Sequence, residues 1–355
     1  MTDRVQSRHA SHTKLVLSAT LLLALPLPAQ SRIPLTFRDS VPAWLAATHV
    51  PAVAVAVIEG GKVTSIQNFG ELRPGVPLSP RALFNVASLT KPIVAVTTLR
   101  LASAGKLDLD APLDPDWIDP DIQSDPRHSK LTARIVLSHQ TGFPNWRWRA
   151  PDHKLGFVFD PGTKFGYSGE GFEYLRHALE HKFGRSLQQL ADSILFRPLH
   201  MTETTFGWNP RADTSRFAFG HDTSGAPLDE RMRTMDQPNA ADWLVTTIGD
   251  YAKFGEFVLH GAGLARPVFA DMTKPQVQME GKPGEAMGLG WEVMTGPPED
   301  PVILLHTGSD DGIKTMILLL PASQRGLVMF TNGERGMDVV MKILKTTLHM
   351  KELTP

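Results

Sequence analysis

Three short clusters in this chain carry residue types that can do chemistry. Ser88 and Lys91 stand three apart, so on a helix they share a face and hydroxyl can meet amine. A serine Oγ is a weak nucleophile until a base takes its proton. A lysine can be that base once burial lowers its pKa toward neutrality. The surroundings are apolar, with Phe84, Val86 and Ala87 before the pair and Ile93, Val94 and Ala95 after it. A lysine in such a run is expected to be buried, and lysines are seldom buried without a task. At the start of a helix the Ser88 N–H would also point outward, toward a developing oxyanion. The alternative is an N-cap serine followed by a solvated lysine. The same spacing recurs at Ser11 and Lys14, in an N-terminal segment where no chemistry is expected.

The second cluster is Tyr167, in the Gly-rich stretch 165–171 just before a helical pattern. A phenol held between two cationic groups would titrate lower and could act as a base. The alternative is an ordinary half-buried aromatic. Residues 166–170 miss the Gly-x-Ser-x-Gly elbow by one position, because Glu170 stands fifth and no strand precedes. The third cluster is His306, Thr307, Gly308 and Ser309. It closes the apolar strand 302–305 and opens onto an acidic loop at Asp310 and Asp311. Gly308 lets a ligand approach the backbone, and the Ser309 N–H is a candidate second oxyanion donor. His306 adds a donor, or a charge that depends on pH. The alternative is a strand-end histidine with a turn.

His177 and His181, with Glu180, fit a His-x-x-Glu-His zinc spacing. The apolar stripe of that helix is Phe172, Leu175, Leu179 and Phe183, on roughly the opposite side, so the two histidines read as a solvated face. The reading calls for no metal and no organic cofactor.

These clusters need a scaffold, and the composition allows one. The chain has 355 residues, 42% of them hydrophobic, enough for one large enzyme-like unit or two lobes. Its formal net charge of -1 argues against a dedicated nucleic-acid binder, which usually carries a basic face. It contains no cysteine, which removes disulfides, thiol nucleophiles and Cys-based zinc sites together. Arg4, Arg8 and Lys14 precede an apolar run over 15–25 and then Pro26 to Gln30. This pattern reads as a signal peptide over 1–29, and hence as a protein exported to the periplasm or medium. A retained anchor is the alternative.

Over the remaining chain, 51–58 and 62–69 read as a hairpin about Gly60 and Gly61. Residues 88–104 read as a buried helix with Pro92 in its first turns. Short helical patterns follow at 132–138, 169–183, 186–195 and 249–260. Strand patterns return at 290–294, 302–306, 313–320 and 326–331, before a last helix over 337–351. The expected fold class is α/β (α+β): one antiparallel sheet flanked by helices. Residues 31–355 form the domain, with a sheet lobe from about 35–105 plus 285–355 and an inserted, mostly helical lobe over about 106–284.

Taken together, the three clusters resemble the serine β-lactamase and D,D-peptidase superfamily, in its class C β-lactamase, D,D-carboxypeptidase and esterase branch. The resemblance rests on Ser88/Lys91, Tyr167 with Gly169, and His306/Thr307/Gly308, in that order. The stretches 84–91, 137–144, 243–254 and 288–291 support it, and it spans roughly residues 35–350. It implies a β-lactamase/transpeptidase-like architecture, with the site between the sheet and the inserted lobe. It implies roles as well: Ser88 the acylated nucleophile, Lys91 its deprotonating partner, and Tyr167 the general base and proton shuttle. The N–H groups of Ser88 and Ser309 would form the oxyanion hole. His306, Thr307 and Gly308 would line the substrate edge. The implied reaction is acyl transfer to Ser88 and hydrolysis, on a small-molecule ester, amide or D-peptide-like substrate. One departure stands out. The family's second motif commonly reads Tyr-x-Asn, and Gly169 supplies no carboxamide, which favours an ester or an unusual amide. A non-catalytic binder or sensor on the same fold is the other reading. No nucleic-acid partner is expected, and the oligomeric state is left open.

Overall fold

The computed structural model describes residues 1–2, 36–207, 213–228 and 239–348, and Arg32–Pro355 form one compact unit. The leader read over 1–29, the Ser11/Lys14 pair and the end of the last helix lie outside the described residues, apart from residues 1–2.

The centre of the fold is the run Ala52–Glu59, strand β1, whose alternation sets two cores. Val53, Val55 and Val57 point to one face and Ala52, Ala54, Ala56 and Ile58 to the other. Successive strand side chains face opposite ways, so a strand apolar at every position must be covered on both faces. It pairs antiparallel with β2 (Lys62–Arg73) on one side and β12 (Arg325–Thr331) on the other. The hairpin 51–69 thus forms, with β2 four residues longer than its pattern suggested.

From β12 the sheet continues antiparallel through β11 (Ile313–Leu320), β10 (Val302–Asp310), β9 (Glu292–Thr295), β8 (Glu285–Met287) and β7 (Val277–Gln278). With β3 (Val76–Pro77) beside β2, this makes nine strands among the described residues. A second, three-stranded sheet joins β4 (Phe84–Asn85), β6 (Leu244–Thr246) and β5 (Thr205–Phe206).

On one face of the large sheet lie α1 (Val41–Thr48) and α8 (Gly336–Leu348), over the valine side of β1. On the other lie α2 (Thr90–Ser103) and α6 (Ile248–Leu259). Helices α3 (Ala133–Leu137), α4 (Gly169–Phe183), α5 (Leu187–Ala191) and α7 (Arg266–Met272) lie in the span read as the helical lobe. So does α6, yet α6 packs on β1 and β12 of the sheet. The antiparallel sheet flanked by helices is the expected fold class.

Two readings need correction. Strand β10 does not stop at His306 but runs to Asp310, because Leu304 to Asp310 pair continuously with Leu319 to Ile313 of β11. The third cluster therefore lies inside a strand and not at its end. The α4 face opposite the apolar stripe is only partly solvated: Tyr174 is buried, His181 is exposed, and His177 is half-buried. His177 and His181 both pack on Trp117, at 4.8 and 4.9 Å between ring centroids. No metal-ligating group of three or more occurs among the described residues.

Candidate active site

Ser88 sits in a 3-10 turn, Ala87–Leu89, that runs directly into α2. It precedes the helix and does not belong to it, but the three-residue spacing still brings the pair together. Lys91 Nζ lies 3.1 Å from Ser88 Oγ and donates to the Ala241 carbonyl at 2.8 Å. Lys91 is 1% exposed. Burial lowers its pKa from 10.5 to about 7, while the Asp242 and Glu173 carboxylates pull it back up. The solvated alternative for Lys91 is therefore excluded.

The turn is held in an unusual backbone. Ala87 has φ 49°, the left-handed region that a side chain disfavours by about 1–2 kcal/mol. Its N–H donates to Asn85 Oδ1 at 2.9 Å, and Asn85 Nδ2 donates to Asp310 on β10 at 3.1 Å. The Val86 carbonyl accepts from Thr315 Oγ1 at 2.9 Å, and the Leu89 carbonyl from Tyr251 Oη on α6 at 2.7 Å. Strands β10 and β11 thus clamp the Ser88 turn. Gly308 makes this possible. Opposite Thr315 in register, it has no side chain, and a Cβ there would meet Thr315 Oγ1 and the Val86 carbonyl.

By strand alternation His306 shares the face of Leu304, toward α2. It is 1% exposed, and its Nδ1 donates to the Thr307 carbonyl at 2.8 Å. Its Nε2 is buried without a hydrogen-bond partner. Burial, and next the Lys91 charge, bring its pKa down to about 3. The expected pH-dependent charge at His306 is thereby overturned: it is a neutral imidazole whose Nε2 is an acceptor. Strand β9 pairs with β10 only as far as Leu305, so the outer edge of 306–310 is open, and Ser309 is exposed on it.

Tyr167 is likewise the reverse of its expectation. Burial raises its pKa well above 10, with Glu292 and Asp242 adding to the rise, and interaction with the Ser88 hydroxyl opposes it only in part. Lys91 Nζ sits over the Tyr167 ring, 4.7 Å from its centroid. Among the described residues no second cation flanks the phenol, because both neighbouring histidines are held neutral. The phenol therefore keeps its proton at ordinary pH.

His139 is the positioning residue that spacing alone did not reveal, although it lies in the stretch 137–144. It is buried, at φ 55°, and its ring stacks on Tyr167 with centroids 4.3 Å apart. Its Nδ1 accepts the Ser168 N–H at 3.1 Å, which fixes the proton on Nε2. Burial and the Lys91 charge keep it neutral.

The start of α4 is fastened to the segment 145–147. The Asn145 carbonyl accepts from Gly169 and Glu170 N–H at 3.0 and 3.1 Å, and Asn145 Oδ1 accepts from Gly169 N–H at 2.9 Å. Arg147 donates its N–H and Nε to Glu170, both at 2.9 Å, and its terminal nitrogens to Asp119 and Asp121 at 2.7 and 3.0 Å. Gly169 is the first residue of α4 and carries no positive φ. A Cβ on it would meet the Trp146 indole at 2.6 to 2.9 Å. The sequence reading gave no part to Trp146, Asn85 or Thr315, and placed Asp310 only in an acidic loop. The Asn85–Asp310 and Thr315–Val86 hydrogen bonds span 225 and 229 residues of chain.

Ser88, Lys91, Tyr167, His306, Thr307 and Ser309 all line one cleft of about 1030 Å³. Gly308 lies behind them as the close-packed spacer. The cleft thus holds a hydroxyl beside a buried amine, a protonated phenol and an open strand edge. This set can activate a nucleophile and shuttle a proton without a charged histidine.

Comparison with known proteins agrees with this fold. The family model described as Beta-lactamase matches residues 37–347. Among curated relatives, Protein flp of Staphylococcus aureus (strain MRSA252) is 23% identical over 80% of this chain and 60% of its own length. The chain thus spans about 60% of the length of the first relatives it matches. The D-alanyl-D-alanine-carboxypeptidase/endopeptidase AmpH of Escherichia coli (strain K12) is 24% identical over 77% of each chain. Of solved structures, the D-amino acid amidase of Ochrobactrum anthropi SV3 superposes with a TM-score of 0.72 at 22% identity, covering 88% of this chain and 99% of its own. The octameric penicillin-binding protein homologue of Pyrococcus abyssi also gives 0.72, at 19% identity, over 88% of this chain and 77% of that one. Both structures share the fold.

Proposed function

Because the chain belongs to the beta-lactamase family, in the class C-like branch of the serine β-lactamase and D,D-peptidase superfamily, we propose that it is a serine hydrolase acylated on Ser88. The observation that carries this reading is the buried Lys91 amine, 3.1 Å from Ser88 Oγ, with a pKa of about 7. Near neutral pH a substantial share of such amines is unprotonated, and a free amine at that distance can take the serine proton.

In this reading Ser88 Oγ attacks the substrate carbonyl carbon as its proton passes to Lys91. The oxyanion rests on the N–H groups of Ser88 and Ser309, at the open edge of β10. When the tetrahedral intermediate collapses, Tyr167 gives its proton to the leaving group and regains one from the Lys91 ammonium. Water then attacks the acyl ester and Ser88 is restored. Tyr167 thus starts as an acid, in keeping with its raised pKa, and the initial base is Lys91. His306 and Thr307 line the substrate strand, with Gly308 as the spacer that admits the nucleophile turn.

The substrate in this reading is a small ester or amide. The relatives named for D-alanyl peptides and D-amino acid amides support an amide of that kind. The lack of a side chain at Gly169 favours an ester. The apolar segment 15–25 supports export after cleavage near residue 29, in line with substrates outside the cytoplasm.

The test is covalent labelling of purified mature protein with a fluorophosphonate and a fluorescent penicillin, read by intact mass. A single adduct, absent from Ser88→Ala and retained in Ser168→Ala, is expected. Labelling that persists in Ser88→Ala refutes the assignment. A folded wild-type protein that takes up no label favours the non-catalytic binder.

A further inference from the structure

Three of the chain's seven tryptophans, Trp146, Trp148 and Trp243, line the cleft, together with Phe165 and Tyr167. Aromatic faces are thus concentrated where the candidate nucleophile lies. Trp146 is the one locked in place. Its neighbours on both sides, Asn145 and Arg147, are hydrogen-bonded to the first residues of α4. Its indole lies over Gly169, at the position where a Cβ would otherwise stand. Gly169 is two residues from Tyr167, and Trp146 and Tyr167 both line the cleft.

Two polar groups on this side are engaged within the protein. Arg147 is taken up by Asp119, Asp121 and Glu170, and the Asn145 side-chain oxygen by the Gly169 N–H. The outer lip repeats the aromatic theme: Trp148 is 57% exposed, with the Arg149 guanidinium 5.0 Å from its ring centroid. What this wall offers a substrate is a flat π-face, held in place by the hydrogen bonds of its two neighbours. Such a face favours planar apolar groups by offset or edge-on contact.

We propose that Trp146 is the specificity-determining residue of this cleft, and that it selects substrates whose acyl group carries a flat apolar ring, of the arylacetyl type. The proposal rests on the acyl-transfer reading above and names the acyl class for the same site.

The experiment compares kcat/KM for p-nitrophenyl phenylacetate and p-nitrophenyl acetate, using the full mature chain. The wild type should prefer phenylacetate. In Trp146→Ala the phenylacetate-to-acetate ratio should fall about tenfold, and Trp146→Phe should keep most of it. Gly169→Asn alone should melt lower, because its Cβ would meet the indole. The Trp146→Ala/Gly169→Asn double variant should melt close to Trp146→Ala and move preference toward N-acylaminoacyl esters. A ratio within twofold of wild type in a Trp146→Ala protein that melts normally overturns the proposal. Should Trp146→Ala fail to fold, Trp146→Phe and Trp146→Leu decide it, and equal ratios in both overturn it.

If the wild type hydrolyses neither ester faster than Ser88→Ala, it is the acyl-transfer reading that fails. Calorimetric binding of phenylacetate and acetate to Ser88→Ala then tests the wall alone. Phenylacetate should bind more tightly, and that margin should vanish in Ser88→Ala/Trp146→Ala. An equal margin in both proteins, or no margin in either, overturns the proposal.

Discussion

Replacing Lys91 with Met keeps most of the buried volume and removes one titration, which isolates the energetic claim on which the proposed chemistry rests. An amine that titrates at 10.5 in the unfolded chain and at about 7 in the native one is disfavoured in its charged form by roughly 5 kcal/mol, at about 1.4 kcal/mol per pH unit. Below pH 7 both states hold the proton and the native state carries this whole penalty. Between 7 and 10.5 the unfolded chain holds more protons than the native one. Unfolding free energy therefore rises with pH, by about 1.4 kcal/mol per unit. The wild type should gain roughly 2 kcal/mol on Lys91→Met between pH 7 and pH 9, because the amine is already half titrated at pH 7, and almost nothing between pH 5 and 6. Urea titrations of the two proteins at matched pH measure this, because titrations common to both cancel in the difference. Two parallel stability curves across pH 7 to 9 would refute the reasoning, since they would place the Lys91 amine in water. On the activity side, wild-type kcat/KM for a neutral ester should rise with pH through about 7, and Lys91→Met should lose acylation altogether.

Three further outcomes follow from the site. Lys91→Arg keeps a cation that is effectively always protonated where a proton acceptor is needed. Its kcat/KM should fall by two or more orders of magnitude in a folded protein, and near-normal turnover would make Lys91 dispensable as a base. Gly308→Ala would drive a methyl into Thr315 and the Val86 carbonyl. It should destabilise by about 1–3 kcal/mol, as overpacking does, and slow labelling of Ser88 by displacing its turn. A normal melt with normal labelling contradicts the close packing of β10 on that turn. His306, with its pKa near 3, should show the nitrogen chemical shifts of a neutral, Nδ1-protonated ring throughout pH 5 to 8. An inflection near 6.5 would mean that the ring is solvated.

Much of the molecule was legible from local pattern. A continuous β-branched, apolar run gave β1, the run with few breakers after Pro92 gave α2, and the helix over 169–183 was placed residue for residue. Such signals are short-ranged, because burial of one face imposes its period on consecutive residues. The three chemical clusters were legible for a related reason: Ser88 and Lys91 meet through helical spacing within a single turn of chain. Properties that depend on the sum of distant groups were not legible. Tyr167 was expected to titrate low, but burial and two carboxylates from other segments raise it. His306 was read as a donor or a pH-dependent charge, but burial on the covered face of β10, and next the charge of Lys91 far away in sequence, keep it neutral. Gly169 looked like a missing carboxamide. In the structure it is an ordinary first helical residue whose side-chain space is filled by Trp146. A pKa or a cavity wall is set by everything within several ångströms, whatever its position in the chain, and only the tertiary structure brings those groups together.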